Sequence, residues 1–261
     1  MKTSEVRVDV DGSIGWVTFA NPARRNAVTL SMWRAVPEIF AELKTDPCVG
    51  VVVVRGDGEE AFVSGADISE FADSRATADA ALDYEAAGSA ALRSIQAFEK
   101  PTIAMISGHC VGGGVALALA CDLRFAAVNA RFSIPAARLG LGYDLDAVSR
   151  LVQAVGPSRA KDVLFSARRL DAAEALAIGL VDRMLAVGAL ESTVREYAET
   201  VASNASLTIK ASKLSVDASF PPDAHKVEQA RAAIAACFAS ADYKEGWTAF
   251  LEKRAPAFRG V

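Results

Sequence analysis

Residues 50–55 read GVVVVR, four consecutive valines with no polar residue between them. A β-branched run that does not alternate fits a strand covered on both faces, the habit of parallel sheets between packed layers. Residues 101–107, PTIAMIS, have the same character. Parallel strands need long crossovers, and residues 31–43 and 76–98 read as the helices that supply them. Residues 6–10 and 14–19 flank Asp11-Gly12 and read as a hairpin. Residues 123–127 and 131–134 read as short strands, residues 21–26 as a polar loop, and 61–71 as a loop. The fold class is therefore α/β.

Beyond Asp146 the character changes. Residues 147–155, 158–165, 172–178, 190–204, 208–218, 225–239 and 243–254 read helical, with one last short strand at 181–185. Asp171 and Glu174 have capping-box spacing, with Asp in place of Ser or Thr. This divides the chain into a core, residues 1–200, and a C-terminal helical oligomerisation region, residues 201–261.

Of 261 residues 52% are hydrophobic, ample for a sizeable core. The net charge is −4, and no long basic run appears, which argues against nucleic acid and anionic membrane surfaces as partners. The N-terminus lacks an apolar signal core. The longest apolar run, 111–121, is short of the roughly 20 residues needed to cross a bilayer. Four scattered cysteines without a C-x-x-C and only two histidines point to a reducing, cytoplasmic setting and to no metal site.

The most unusual stretch is GHCVGGGVALALACD, residues 108–122, where Gly112, Gly113 and Gly114 open an apolar helix. It lacks the lysine of a phosphate loop, the spacing of a dinucleotide fingerprint and the serine of a nucleophile elbow. A second small-residue turn, Ser64-Gly65-Ala66-Asp67, also follows a buried strand and precedes a helix. Facing each other across the strand ends, the two turns would present free backbone N–H groups. Such donors suit the enolate or tetrahedral oxygen of a thioester substrate, at roughly 3–4 kcal/mol each.

These segments resemble the enoyl-CoA hydratase/isomerase (crotonase) superfamily. NPARRNAV, AFVSGADISEF, ISGHCVGGGVALALACDLRFAA, ARFSIPAARLGLG, ARRLDAAEALAIGLVDRM and EGWTAFLEKRAPAF fall in that family's order over nearly the whole chain. The resemblance implies a spiral of β-β-α units with C-terminal trimerising helices, and a homo-oligomer, either a trimer or a dimer of trimers. It implies an acyl-CoA thioester as substrate, with no metal and no separate cofactor. It assigns the oxyanion donors to the amides of Ala66 and Gly113. Ser64, Gly65, Asp67 and Ile68 would lie along CoA, with Arg24, Arg25 and Lys253 as phosphate partners. Gly112, Ala116, Pro135, Ala136 and Leu139 would line the acyl site.

The pattern breaks at two positions. Classical hydratases of the family carry glutamates where this chain has Ala116 and Ala136. Water addition needs a base and an acid, and alanine can be neither. Asp144 falls where dienoyl-CoA isomerases and aromatic acyl-CoA dehalogenases carry a functional aspartate, and it is equally placed to cap the following helix. Tyr143 falls where methylmalonyl-CoA decarboxylase-like members carry an orienting tyrosine. His109, Tyr84 and Glu85 are further candidates near the pocket. The expected activity is enolate-forming chemistry on acyl-CoA, by Asp144 in isomerisation or hydration. The alternatives are decarboxylation directed by Tyr143 and a non-catalytic acyl-CoA-binding subunit.

Overall fold

The structure, a computed structural model, describes residues 4–67, 78–219 and 224–261. Strands β1 (Glu5–Asp11) and β2 (Ile14–Ala20) form the expected antiparallel hairpin. Helix α1 (Leu30–Thr45) starts at Thr29, whose side-chain oxygen accepts from the Met32 amide at 3.2 Å. Three β-β-α units follow. They are β3 (Val51–Gly56), β4 (Ala61–Val63) and α2 (Ala78–Gln96); then β5 (Thr102–Ile106), β6 (His109–Val111) and α3 (Gly113–Ala120); then β7 (Leu123–Ala127), β8 (Arg131–Ser133) and α4 (Ala136–Leu139).

The remainder comprises α5 (Leu145–Val155), α6 (Pro157–Ser166), β9 (Leu170–Asp171), α7 (Ala172–Ala177), β10 (Arg183–Leu185), α8 (Leu190–Ala202), α9 (Ser206–Ser219), α10 (Ala224–Ala239) and α11 (Ala241–Glu252). The first strand of each unit enters one sheet, ordered β1-β2-β3-β5-β7-β10. The second strand enters another, ordered β4-β6-β8-β9. From β2 to β10 the first sheet is parallel. This is the β-β-α spiral.

The valine run has a direct structural cause. Val52 and Val54 pack with α1 and α2 in the main core, whereas Val51 and Val53 pack on the other face against Val194 and Ala198 of α8. Both faces are covered, so neither set of positions tolerates a polar residue.

Two expectations need correction. Residues 61–71 do not begin as a loop: Ala61–Val63 is the buried strand β4, paired with β6. Strands β6 and β9 were not foreseen either. At two or three residues these strands are too short to show a period, and pairing defines them. The Asp171 cap holds, accepting from the Glu174 amide at 2.8 Å. The Glu174 carboxylate does not complete the box, because it pairs with Arg168 at 2.6 Å instead.

Helix α9 is tied to the core by Lys210–Glu99 at 2.6 Å and Lys213–Asp122 at 2.8 Å. This helix and the tail beyond it leave large apolar side chains in water, with Val216 72%, Phe238 64% and Phe250 83% exposed. Among the described residues no helix is long and apolar enough to cross a membrane.

Candidate active site

Both glycine-bearing turns lie at the carboxyl ends of the second sheet's strands, after β4 and β6. Gly65 has φ +105° and Gly112 has φ +53°, conformations that glycine adopts without a Cβ penalty. Gly114 is required for a different reason, because a β-carbon there would run into the Val63 carbonyl oxygen. A β-carbon on Gly113 would meet only the Trp33 ring at 3.4 Å and Gly65 Cα at 4.0 Å. The two turns therefore lie close enough that a single added methyl on one would reach the other.

Their amides are unused. Val28 and Ala66 form a parallel bridge, in which the Val28 amide donates to Gly65 O at 2.8 Å and the Asp67 amide to Val28 O at 3.0 Å. In such a bridge the N–H of the middle residue, Ala66, points to the opposite side. Gly113 is the first residue of α3, so its N–H has no intrahelical acceptor. Among the described residues neither amide has a protein partner. Both residues line one cavity of about 170 Å³.

Aromatic residues hold these turns in place. Trp33 Nε1 donates to the Tyr84 hydroxyl at 3.0 Å, which donates to Val28 O at 2.8 Å, bracing the residue that bridges to Ala66. Tyr143 donates to Gly112 O at 2.9 Å. Burial, above all, pushes its phenol well above the ordinary tyrosine range, so it stays a neutral donor.

Asp144 caps a helix and lies on the cavity wall. Its Oδ1 accepts from the Ala147 amide at 3.0 Å, capping α5, and the residue also lines the cavity. Its Oδ2 accepts from the Ser89 hydroxyl at 3.1 Å.

The other expected residues divide. Ser64, Gly65, Gly112, Ala116, Pro135, Ala136 and Leu139 line the cavity, as do Tyr84 and Glu85. Asp67 does not; its carboxylate is buried and accepts from Asn21 Nδ2 at 3.2 Å. Arg24 and Arg25 are exposed beside the Ser64 turn, where the Ser64 hydroxyl donates to Arg24 O at 3.0 Å and Arg25 pairs with Glu60 at 2.7 Å. Ile68 falls outside the described residues. Lys253 ends α11, exposed, and does not line the cavity. His109 does not line it either. It sits at the start of β6, and the glycine turn leaves from the other end of that strand. Sequence reasoning missed Trp33 and Ser89. The signal for Ser89 was the run of small and polar residues Glu85, Gly88 and Ser89 on one face of α2.

A family model described as enoyl-CoA hydratase/isomerase matches residues 9–261. The chain belongs to this family. It is 33% identical to a short-chain-enoyl-CoA hydratase of Clostridium acetobutylicum, over 97% of both chains. It is 35% identical to a crotonyl-CoA hydratase of Syntrophomonas wolfei, over 91% of both. A crystal structure of an enoyl-CoA hydratase/isomerase family protein from Hyphomonas neptunium superposes with a TM-score of 0.93 at 38% identity, covering 98% of each chain. The protein is thus an acyl-CoA-processing enzyme of the enoyl-CoA hydratase/isomerase type. In this family member, alanines 116 and 136 face the same cavity as the two free amides.

Proposed function

We propose that the protein forms and reprotonates thioester enolates of acyl-CoA, with Ala66 and Gly113 amides holding the enolate oxygen and Asp144 carrying the proton. The observation that carries this reading is the pair of unpartnered amides on the wall of a cavity that also presents the Asp144 carboxylate. For a 3-enoyl thioester the Asp144 carboxylate takes a proton from Cα. The C–H electron pair becomes the dienolate, whose oxygen the two amides stabilise. The proton returns at Cγ, giving the 2-enoyl thioester and restoring the carboxylate. The scheme uses only backbone donors and one carboxylate, so it calls on no metal or organic cofactor. Arg24 and Arg25, on the Ser64 side, supply charge for the CoA phosphates.

Two features disfavour decarboxylation. The Tyr143 hydroxyl is engaged with Gly112 O. Glu85 and Asp144 both line the cavity, and would repel a carboxylated acyl group. The exposed apolar residues of α9–α11 support a homo-oligomer, which we take to be a trimer or a dimer of trimers in the cytoplasm.

The test uses 3-butenoyl-CoA as substrate, with crotonyl-CoA binding measured by calorimetry. Asp144→Asn keeps the cap but carries no proton, and should bind yet not isomerise. Gly113→Pro removes one donor at the first helical position, where proline is tolerated, and should lower turnover by about 10²–10³-fold. Parent-level turnover in either variant would refute the assignment.

A further inference from the structure

Helix hydroxyls in this protein commonly turn back on their own helix. Ser94 donates to Ala91 O at 2.7 Å, Ser166 to Asp162 O at 2.6 Å, Thr200 to Glu196 O at 2.8 Å and Ser215 to Ala211 O at 2.8 Å. This is the local habit of serine and threonine in helices. Ser89 departs from it. Its hydroxyl leaves α2 and donates to Asp144 Oδ2, 55 residues away, at 3.1 Å.

The consequence is geometric. The terminal torsion of an aspartate is broad, and a cap through Oδ1 alone leaves Oδ2 free to swing. The Ala147 amide on Oδ1 and Ser89 on Oδ2 come from two different helices, so together they set the plane of the carboxylate. Glu85 and Tyr143 line the same cavity, and Asp146 lies two residues on in α5. Arg93 pairs with Asp146 at 3.9 Å, and Tyr143 is engaged with Gly112. Among the described residues no other side chain donates to Oδ2.

We infer that Ser89 is a positioning residue that aims the Asp144 carboxylate at the acyl carbons. The inference rests on the proton-carrying role proposed for Asp144. A misplacement of about 1 Å in a reacting group can lower turnover by about 10²-fold, whereas substrate affinity, set by the CoA contacts, should hold.

The test compares parent, Ser89→Ala, Ser89→Thr and Asp144→Asn on 3-butenoyl-CoA, with kcat and KM measured separately and folding checked by thermal melting. Ser89→Ala should lower kcat by about ten- to a hundredfold with KM unchanged. Ser89→Thr, which keeps the hydroxyl, should restore most of the loss. If Asp144→Asn is inactive while Ser89→Ala turns over like the parent, this inference alone is overturned. A loss in Ser89→Ala that threonine does not reverse also overturns it. If the parent binds crotonyl-CoA but does not isomerise 3-butenoyl-CoA, or if Asp144→Asn matches the parent, the role of Asp144 falls and this inference with it.

Discussion

The hydroxyl of Tyr143 donates to the carbonyl of Gly112 at 2.9 Å, fastening the segment before α5 to the turn that opens α3. The same carbonyl accepts from the amides of Val115 at 3.0 Å and Ala116 at 3.2 Å. Tyr143→Phe removes one of three donors and leaves no buried acceptor bare. Stability should fall by about 0.5–1.5 kcal/mol, the net worth of one hydrogen bond, as read from denaturant midpoints. Because the bond braces the turn that carries Gly113, turnover should fall as well. Full stability in the phenylalanine variant would show that the bond does not contribute.

The glycine triplet predicts two different failures. Gly114→Ala places a methyl against the Val63 carbonyl, a backbone atom that cannot rotate away. Overpacking of this kind should cost about 1–3 kcal/mol. Gly113→Ala meets the Trp33 ring at 3.4 Å, an ordinary contact, so the variant should fold like the parent. Its methyl nonetheless fills the gap toward Gly65, and turnover should drop by about 10²-fold. Denaturation and kinetics on the two variants would expose any reversal of this order.

Hydration of crotonyl-CoA should be slow. Each missing general acid or base forgoes about 10²–10⁴ in rate, and alanines 116 and 136 both face the cavity. A measured turnover in the ordinary enzyme range, about 1–10³ per second, would mean that Asp144 or Glu85 activates water unaided.

Stability should depend on pH through His109. Burial first, then the positive charges of Arg25, Arg169 and Arg131, lowers its pKa from the usual 6.5, outweighing Glu60. The unfolded chain therefore binds the proton more readily than the folded one. The stability contribution is complete above the usual value and is lost as the pH falls through 6.5 toward the lowered one. Denaturant midpoints at about pH 7.5 and 5.5, bracketing the ordinary histidine range, should fall for the parent. They should fall less for His109→Gln, and equal falls would remove His109 from the account.

The sequence by itself determined the elements whose causes are local. Valines 51–54 announced a strand buried on both faces because each face meets its own core. Gly65 and Gly112 announced turns because their positive φ suits glycine, and Asp171 announced a helix cap from within its own segment. The family motifs added the identity of the two turns. Tertiary structure alone decided the rest. Strands β4, β6 and β9 hold two or three residues each, too few for a period, and exist because a neighbouring strand pairs with them. For that reason the β-β-α repeat left no repeat in the sequence. Asp144 read as either a cap or a site residue, and only the fold showed that the capping carboxylate also lies on the cavity wall, with Ser89 of another helix at its second oxygen. A hydroxyl on a helix carries no mark of which distant acceptor it will meet, because long-range chain reversal, not local propensity, sets that distance.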